Sequence, residues 1–131
     1  DEVVLGVSVT MPITSDQIKQ FKASFIHLSL DEPRQNVIEY VEQLHEYVRV
    51  VFDTITRIGQ ESRIKRIHLV MSSQSCLVYE LGKQLTTETY MPEVISYHFV
   101  NPKYVWGIAF NNRGTEFVQC NQKKGVIDCL I

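Results

Sequence analysis

An α/β fold with a mainly parallel sheet is what this sequence predicts, on three observations. Short β-branched runs recur along the chain, helical apolar patterns stand between them, and turn residues punctuate most of the junctions. Strands that alternate with helices imply right-handed crossovers and therefore parallel pairing. The length, 131 residues of which 44% are hydrophobic, suits one compact domain over residues 1–131 with a core of its own. Two full domains do not fit.

Val3 to Thr10 (VVLGVSVT) is apolar on both faces, as expected of a strand covered on two sides. Met11-Pro12-Ile13-Thr14 breaks it. Thr14 or Ser15 can then cap a short helix from Asp16 to Lys22, with Ile18 and Phe21 turned inward. Phe25 to Leu30 (FIHLSL) reads as a second strand, and Asp31, Glu32 and Pro33 lead into a long helix from Arg34 to Arg57. Val37, Val41, Leu44, Val48, Val51, Ile55 and Ile58 form its apolar stripe. The same spacing is a heptad seam, but it lasts only about three heptads between strands, so packing on a sheet is favoured over a coiled coil. Gly59 is placed to end the helix.

Ile64 to Met71 (IKRIHLVM) is a third strand. The polar loop Ser72-Ser73-Gln74-Ser75 opens a helix from Cys76 to Leu85, inside which Gly82 is expected to allow close packing on the sheet. Glu93 to Val100 and Tyr104 to Phe110 read as further strands, and Thr115 to Gln119 with Val126 to Leu130 as a closing C-terminal hairpin tipped by Lys123 and Lys124. The expected architecture is a Rossmann-like three-layer sandwich. No internal repeat or low-complexity stretch appears.

Charge and motif content remove several classes of function. Thirteen Lys and Arg against fifteen Asp and Glu give a formal −2, which lacks the field that sequence-independent duplex DNA binding needs. No apolar run approaches the ~20 residues of a bilayer span, and residues 1–20 do not read as a signal peptide. Cys76, Cys120 and Cys129 form no CxxC and leave an odd count, which reads as free thiols in a cytoplasmic protein. A start at Asp1, with a strand opening at Val3, is expected of a segment of a longer chain.

There is no GxGxxG after the first strand, no GxxxxGK[ST] and no GxSxG. His27, His45, His68 and His98 lack metal-ligand spacing, and the two inside strands, His27 and His68, are expected to be hydrogen-bonded core or rim residues. No carboxylate pair falls at a strand end, so no enzyme is expected. Trp106 and Tyr104 are read as core or interface anchors before a base-stacking platform.

Ligands of open α/β sheets bind at the carboxyl ends of the strands. That rule selects Thr10 to Ser15 and Ser72 to Ser75, hydroxyl-rich loops that each open a helix, where free backbone N–H groups suit an anion. The plain alternative for Ser72-Ser73-Gln74-Ser75 is a helix cap and no more.

The segments IHLVMSSQSCLVYELGKQL and VISYHFVNPKYVWGIAF resemble the SAVED domain, and the opening VVLGVSVTMPITSDQIKQF and the long helix are similar to its first elements. The resemblance covers most of residues 3–110. SAVED domains are sensors of cyclic oligonucleotides in bacterial antiphage defence, in CBASS and some type III CRISPR systems. The resemblance implies two fused CARF-like Rossmann units with ligand across their joint, of which this chain is similar to the later one. It implies a cyclic oligonucleotide ligand, no other cofactor and no metal, facing Thr10 and Met11 after the first strand and Ser72, Ser73, Gln74 and Ser75 after the third. Tyr97 with His98 forms a further candidate pair.

The implied partners are a second CARF-like half in the same or another chain and a linked effector, activated as ligand drives oligomerisation. The family commonly has an acid where His98 stands and a proline in the loop where this chain has Ser73-Gln74. Those departures motivate an alternative, a ligand-free structural or assembly module of the same fold. A third reading, cleavage of the cyclic ligand, rests on His98 and the hydroxyls alone.

Overall fold

The computed structural model describes residues 1–61, 63–85, 92–100, 102–121 and 126–129, with side chains as far as residue 119. In chain order the elements are β1 (Glu2–Ser8), α1 (Ser15–Ile18), a 3₁₀ turn (Lys19–Phe21), β2 (Ser24–Ser29), α2 (Val41–Gly59), β3 (Arg66–Ser72), α3 (Ser75–Leu85), β4 (Glu93–Val100), β5 (Lys103–Asn111), β6 (Gly114–Asn121) and β7 (Val126–Cys129). The strands form one sheet in the order β2-β1-β3-β4-β5-β6-β7. The expected hairpin is present as β6 paired antiparallel to β7; Leu130, Lys123 and Lys124 lie outside the described residues.

The sheet is mixed, which corrects the expectation of a mainly parallel one. β2, β1, β3 and β4 pair in parallel, and β4–β5, β5–β6 and β6–β7 are antiparallel. The reason lies in the connections. A parallel pair needs a crossover of a dozen or more residues, but β5 begins three residues after β4 ends, and Gly114 (φ 117°) opens β6 three residues after Asn111.

One face carries the larger core. Val3, Leu5, Val7 and Val9 meet Ile67 and Leu69 there, under Val48, Val51, Ile55 and Ile58 of α2 and Leu77, Leu81 and Leu85 of α3. The other face is covered by α1 and the 3₁₀ turn, with Ile13, Ile18 and Phe21 against Val4, Val70, Ile95, Tyr97 and Tyr104. The protein is therefore α/β with helices on both faces.

Two helix boundaries differ from expectation. The first helix leaves α geometry after Ile18 and ends with Lys22 in the left-handed region (φ 50°). The long helix begins at Val41, seven residues after Arg34. The Gln43 side-chain oxygen accepts hydrogen bonds from the backbone N–H of Glu39 (2.8 Å) and Tyr40 (2.9 Å), which fixes the first turn there. Upstream, Asn36 adopts φ 58°, a left-handed turn that asparagine tolerates. Val37 is buried all the same, but it reaches the core from a loop.

Two glycines have roles other than those expected. Gly59 is the last residue of α2, and a Cβ there would stand 2.7 Å from Cδ of Pro92, so it permits close approach and makes no left-handed cap. A Cβ on Gly82 would meet nothing within 4 Å outside its own helix, so close packing does not explain it.

The amino edge of the parallel strands holds a polar network. Arg66 Nε donates to Glu93 (2.7 Å), with Glu2 at 3.7 Å from the same guanidinium, and Asn111 donates to Glu93 and Glu116. His68, 3% exposed, has Nε2 at 2.5 Å from the Glu2 carboxylate and Nδ1 at 2.7 Å from the Tyr97 hydroxyl. Burial pushes its pKa down, and the Glu2 carboxylate opposes that shift.

Candidate functional site

β1 and β3 lie side by side, but the chain leaves them toward opposite faces. After β1 it passes to α1, whose Ile18 packs on one face, and after β3 to α3, whose Leu77 packs on the other. That divergence makes the carboxyl ends of β1 and β3 the switch point of the sheet, where such folds open a crevice. Thr10, Met11 and Ser72 to Ser75 all fall there, as the sequence predicts.

The loop after β1 is tied down bond by bond. Val9 N–H (2.8 Å) and Thr10 N–H (3.0 Å) donate to the Ser72 carbonyl, and Met11 N–H donates to Ser72 Oγ (3.1 Å). Ile13 N–H donates to Ser8 Oγ (2.9 Å), and Thr14 N–H to the Gln17 side chain (3.1 Å). Proline at position 12 has no N–H. The backbone donors of Thr10 and Met11 are thus used inside the protein, and what this loop presents outward is side chain.

Thr10 Oγ1 and Ser72 Oγ are 3.0 Å apart. Each hydroxyl has one proton. Whichever donates across the pair, the other keeps a proton free to donate elsewhere. The pair therefore keeps one neutral donor beyond its own bond, a group that suits a phosphate oxygen or the edge of a base.

The next loop divides its labour. Ser73 Oγ donates to the Gln74 carbonyl (3.1 Å), and Ser75 is exposed at the first turn of α3. There the N–H groups of Ser75 and Cys76 precede the intrahelical ladder and carry the positive end of the helix dipole, while Leu77 N–H donates to the Gln74 carbonyl (3.1 Å). Gln74 faces away into the protein. Its Oε1 accepts from Ile38 N–H (2.8 Å) and its Nε2 donates to the Ile38 carbonyl (3.2 Å).

Tyr97 and His98 are not brought together with this group. Tyr97 is buried on the α1 face with its hydroxyl on His68, and His98 is exposed on the opposite face of β4, where its ring lies 5.0 Å from that of Trp106. Tyr104 is buried, as an anchor should be, whereas Trp106 is 39% exposed.

Sequence reasoning missed the course of residues 31–40, reading 31–33 as a turn and 34–40 as the start of the long helix. They form a strap across the carboxyl edge. Leu30 N–H donates to the Ser8 carbonyl, Arg34 N–H to the Val9 carbonyl (3.1 Å), and Ile38 is held by Gln74. Arg34 thereby stands beside Thr10, its guanidinium exposed and only 3.9 Å from Glu39. Asp31, Glu32 and Pro33 were a signal for a longer turn, and Gln43 marked the true helix start.

Among the described residues no group of His, Cys, Asp and Glu side chains could hold a metal ion, and no helix is long and apolar enough to cross a membrane. An apolar recess of about 230 Å³ lies between the β1–β2 strands and α2, lined by Val7, Val9, Leu28, Leu30, Tyr47 and Val51.

Comparison with known proteins gives a coherent answer. Residues 1–110 match the model of the SAVED family, described as the SMODS-associated and fused to various effectors sensor domain. No curated protein sequence matches. Among solved structures, the Acinetobacter baumannii Cap4 SAVED/CARF-domain containing receptor with the cyclic trinucleotide 2'3'3'-cAAA superposes with a TM-score of 0.70 at 19% identity, over 84% of this chain and 24% of the receptor chain. The same receptor with 3'3'3'-cAAA gives 0.69 at 19% identity, over 84% and 25%. The chain thus spans about a quarter of those receptors' length, and at that identity the likeness concerns the fold. With the family model matched along most of its length, the chain belongs to the SAVED family of sensor domains.

Proposed function

We propose that this chain is the cyclic-oligonucleotide-binding part of a sensor, corresponding to the later of the two CARF-like halves of a SAVED domain. The ligand lies at the carboxyl ends of β1 and β3, against the Thr10–Ser72 hydroxyl pair and the exposed first turn of α3 at Ser75. The observation that carries this reading is the junction of those two loops at the switch point of the sheet, in a chain of the SAVED family. A second CARF-like half, in the same or another chain, closes the other side of the ligand. Binding is non-hydrolytic, takes place in the cytoplasm and brings copies together, which activates a linked effector. Relatives of this fold bound to cyclic trinucleotides make that ring size the first to try.

Calorimetric titration of the full-length parent protein with cyclic di-, tri- and tetranucleotides tests the reading. Saturable heat with one ring size supports it, and recovery of intact ligand afterwards supports the non-hydrolytic part. Absence of heat with every ring overturns it.

A second reading, a ligand-free assembly module, gains from one observation. The backbone donors of Thr10 and Met11 and both polar atoms of Gln74 are already engaged within the protein. On this reading light scattering shows self-association that is indifferent to added nucleotide and to Ser72→Ala.

A further inference from the structure

The segment between β2 and α2 is held in place more firmly than a connecting loop requires. Val37 is sunk in the larger core, the Arg34 N–H donates to Val9 at the very end of β1, and the Gln74 amide meets both the N–H and the carbonyl of Ile38. A primary amide can serve a backbone N–H and a backbone C=O at once, as acceptor and donor. Gln74 sits at the entrance to α3, beside the hydroxyl pair, and its bonds reach 36 residues back along the chain. The strap so held carries Arg34 to the rim of the crevice, where the other donors are a neutral hydroxyl pair and helix N–H groups.

We propose that Gln74 is a positioning residue that holds the 31–40 strap against the switch point, so that Arg34 supplies the cationic contact to a phosphodiester of the bound cyclic oligonucleotide. This rests on the ligand-binding reading given above. A phosphodiester keeps its negative charge, and a guanidinium can meet two of its oxygens with parallel N–H donors. Arg34 is available for this, since its side chain is 62% exposed and its ion pair with Glu39 is long at 3.9 Å.

The test is titration of the full-length parent protein with 3'3'3'-cAAA and 2'3'3'-cAAA at several salt concentrations. Arg34→Ala is expected to weaken binding by about tenfold or more, as loss of a charge-assisted hydrogen bond does, and to make the affinity less dependent on salt. Arg34→Lys keeps the salt dependence and recovers part of the affinity. Gln74→Ala reproduces the shallower salt dependence although it removes no charge, because Arg34 is no longer held in place. A purely structural Gln74 would lower the melting temperature and leave the salt dependence as in the wild type, which overturns the positioning role. Should Gln74→Ala not fold, Arg34→Ala decides alone, since its side chain is exposed; unchanged affinity and salt dependence in that variant overturn the proposal. Where wild type binds and Ser72→Ala weakens it but Arg34→Ala does not, only this inference fails. Where wild type binds neither trinucleotide, the reading beneath it fails as well.

Discussion

Thr10 Oγ1 lies 3.0 Å from Ser72 Oγ, and this pair joins the ends of two neighbouring parallel strands that are 62 residues apart in sequence. Ser72 is the more heavily used partner. Its carbonyl accepts from Val9 and Thr10 and its hydroxyl from Met11, so the loop after β1 takes its shape from the end of β3. One proton of the pair is left over for a partner outside it.

Ser72→Ala therefore does two things. It leaves Met11 N–H without its acceptor, which is expected to cost about 1 kcal/mol of stability in denaturant unfolding. It also removes half of the hydroxyl pair, and cyclic trinucleotide affinity is expected to fall about tenfold. Thr10→Val, which keeps the shape and removes only the hydroxyl, should lower affinity with a smaller change in stability.

Two glycines separate free space from close approach. Gly82→Ala places a methyl group where no atom lies within 4 Å outside the helix, so it is expected to stabilise the protein by about 1 kcal/mol. Gly107→Ala puts a Cβ 2.5 Å from the backbone carbonyl oxygen of Ser96, in the middle of the antiparallel pairing. Backbone on the neighbouring strand cannot yield cheaply, and a loss of several kcal/mol or failure to fold is expected on the scale of overpacking and strain. Thermal melts of the two variants should shift in opposite directions.

Acidification acts through His68. Burial disfavours its charged form, so the folded protein takes up that proton at a lower pH than the unfolded chain does. The unfolded chain then binds more protons as the pH drops below the ordinary histidine value of about 6.5, and stability falls. The contribution is complete above that value and is lost on acidification. Urea unfolding between pH 7.5 and 5.5, chosen as about one unit either side of that value, should show the decline, with a flatter profile in His68→Gln.

Ser8 sets the state of another histidine. Ser8 Oγ accepts from Ile13 N–H at 2.9 Å and lies 2.6 Å from His27 Nε2; its own proton is expected to go to that ring nitrogen, the other arrangement being donation from Nε2–H to the second lone pair of Oγ. His27 is expected as the tautomer with its proton on Nδ1. Nitrogen-15 NMR of the imidazole checks this, and Ser8→Ala should release both the tautomer preference and the Ile13 anchor.

Much of this was legible in the sequence because side-chain period and strand composition carry it. β4 begins and ends at the residues expected, and the hydroxyl loops fall at the switch point because strand order places them there. What was hidden depended on long-range bonds. The Val37 to Ile58 stripe continues unbroken through the helix start, since Val37 is buried from a loop at the spacing a helix would have used. The local Gln43 contacts with Glu39 and Tyr40, the left-handed turn at Asn36 and the long-range Gln74 clamp on Ile38 together start the helix at Val41. The same clamp turned Gln74 from an expected ligand contact into a residue engaged with the strap. Tyr97 could not be placed by its neighbours in sequence, because its partner His68 lies on another strand.

The most direct test of the central claim is hydrogen exchange of the full-length parent protein with and without saturating 3'3'3'-cAAA. The account predicts that new protection concentrates in residues 9–11, 34–38 and 72–76, at the carboxyl ends of β1 and β3. Protection absent from those segments, or confined to the exposed face of β5 and β6 around Trp106 and Phe117, would contradict it.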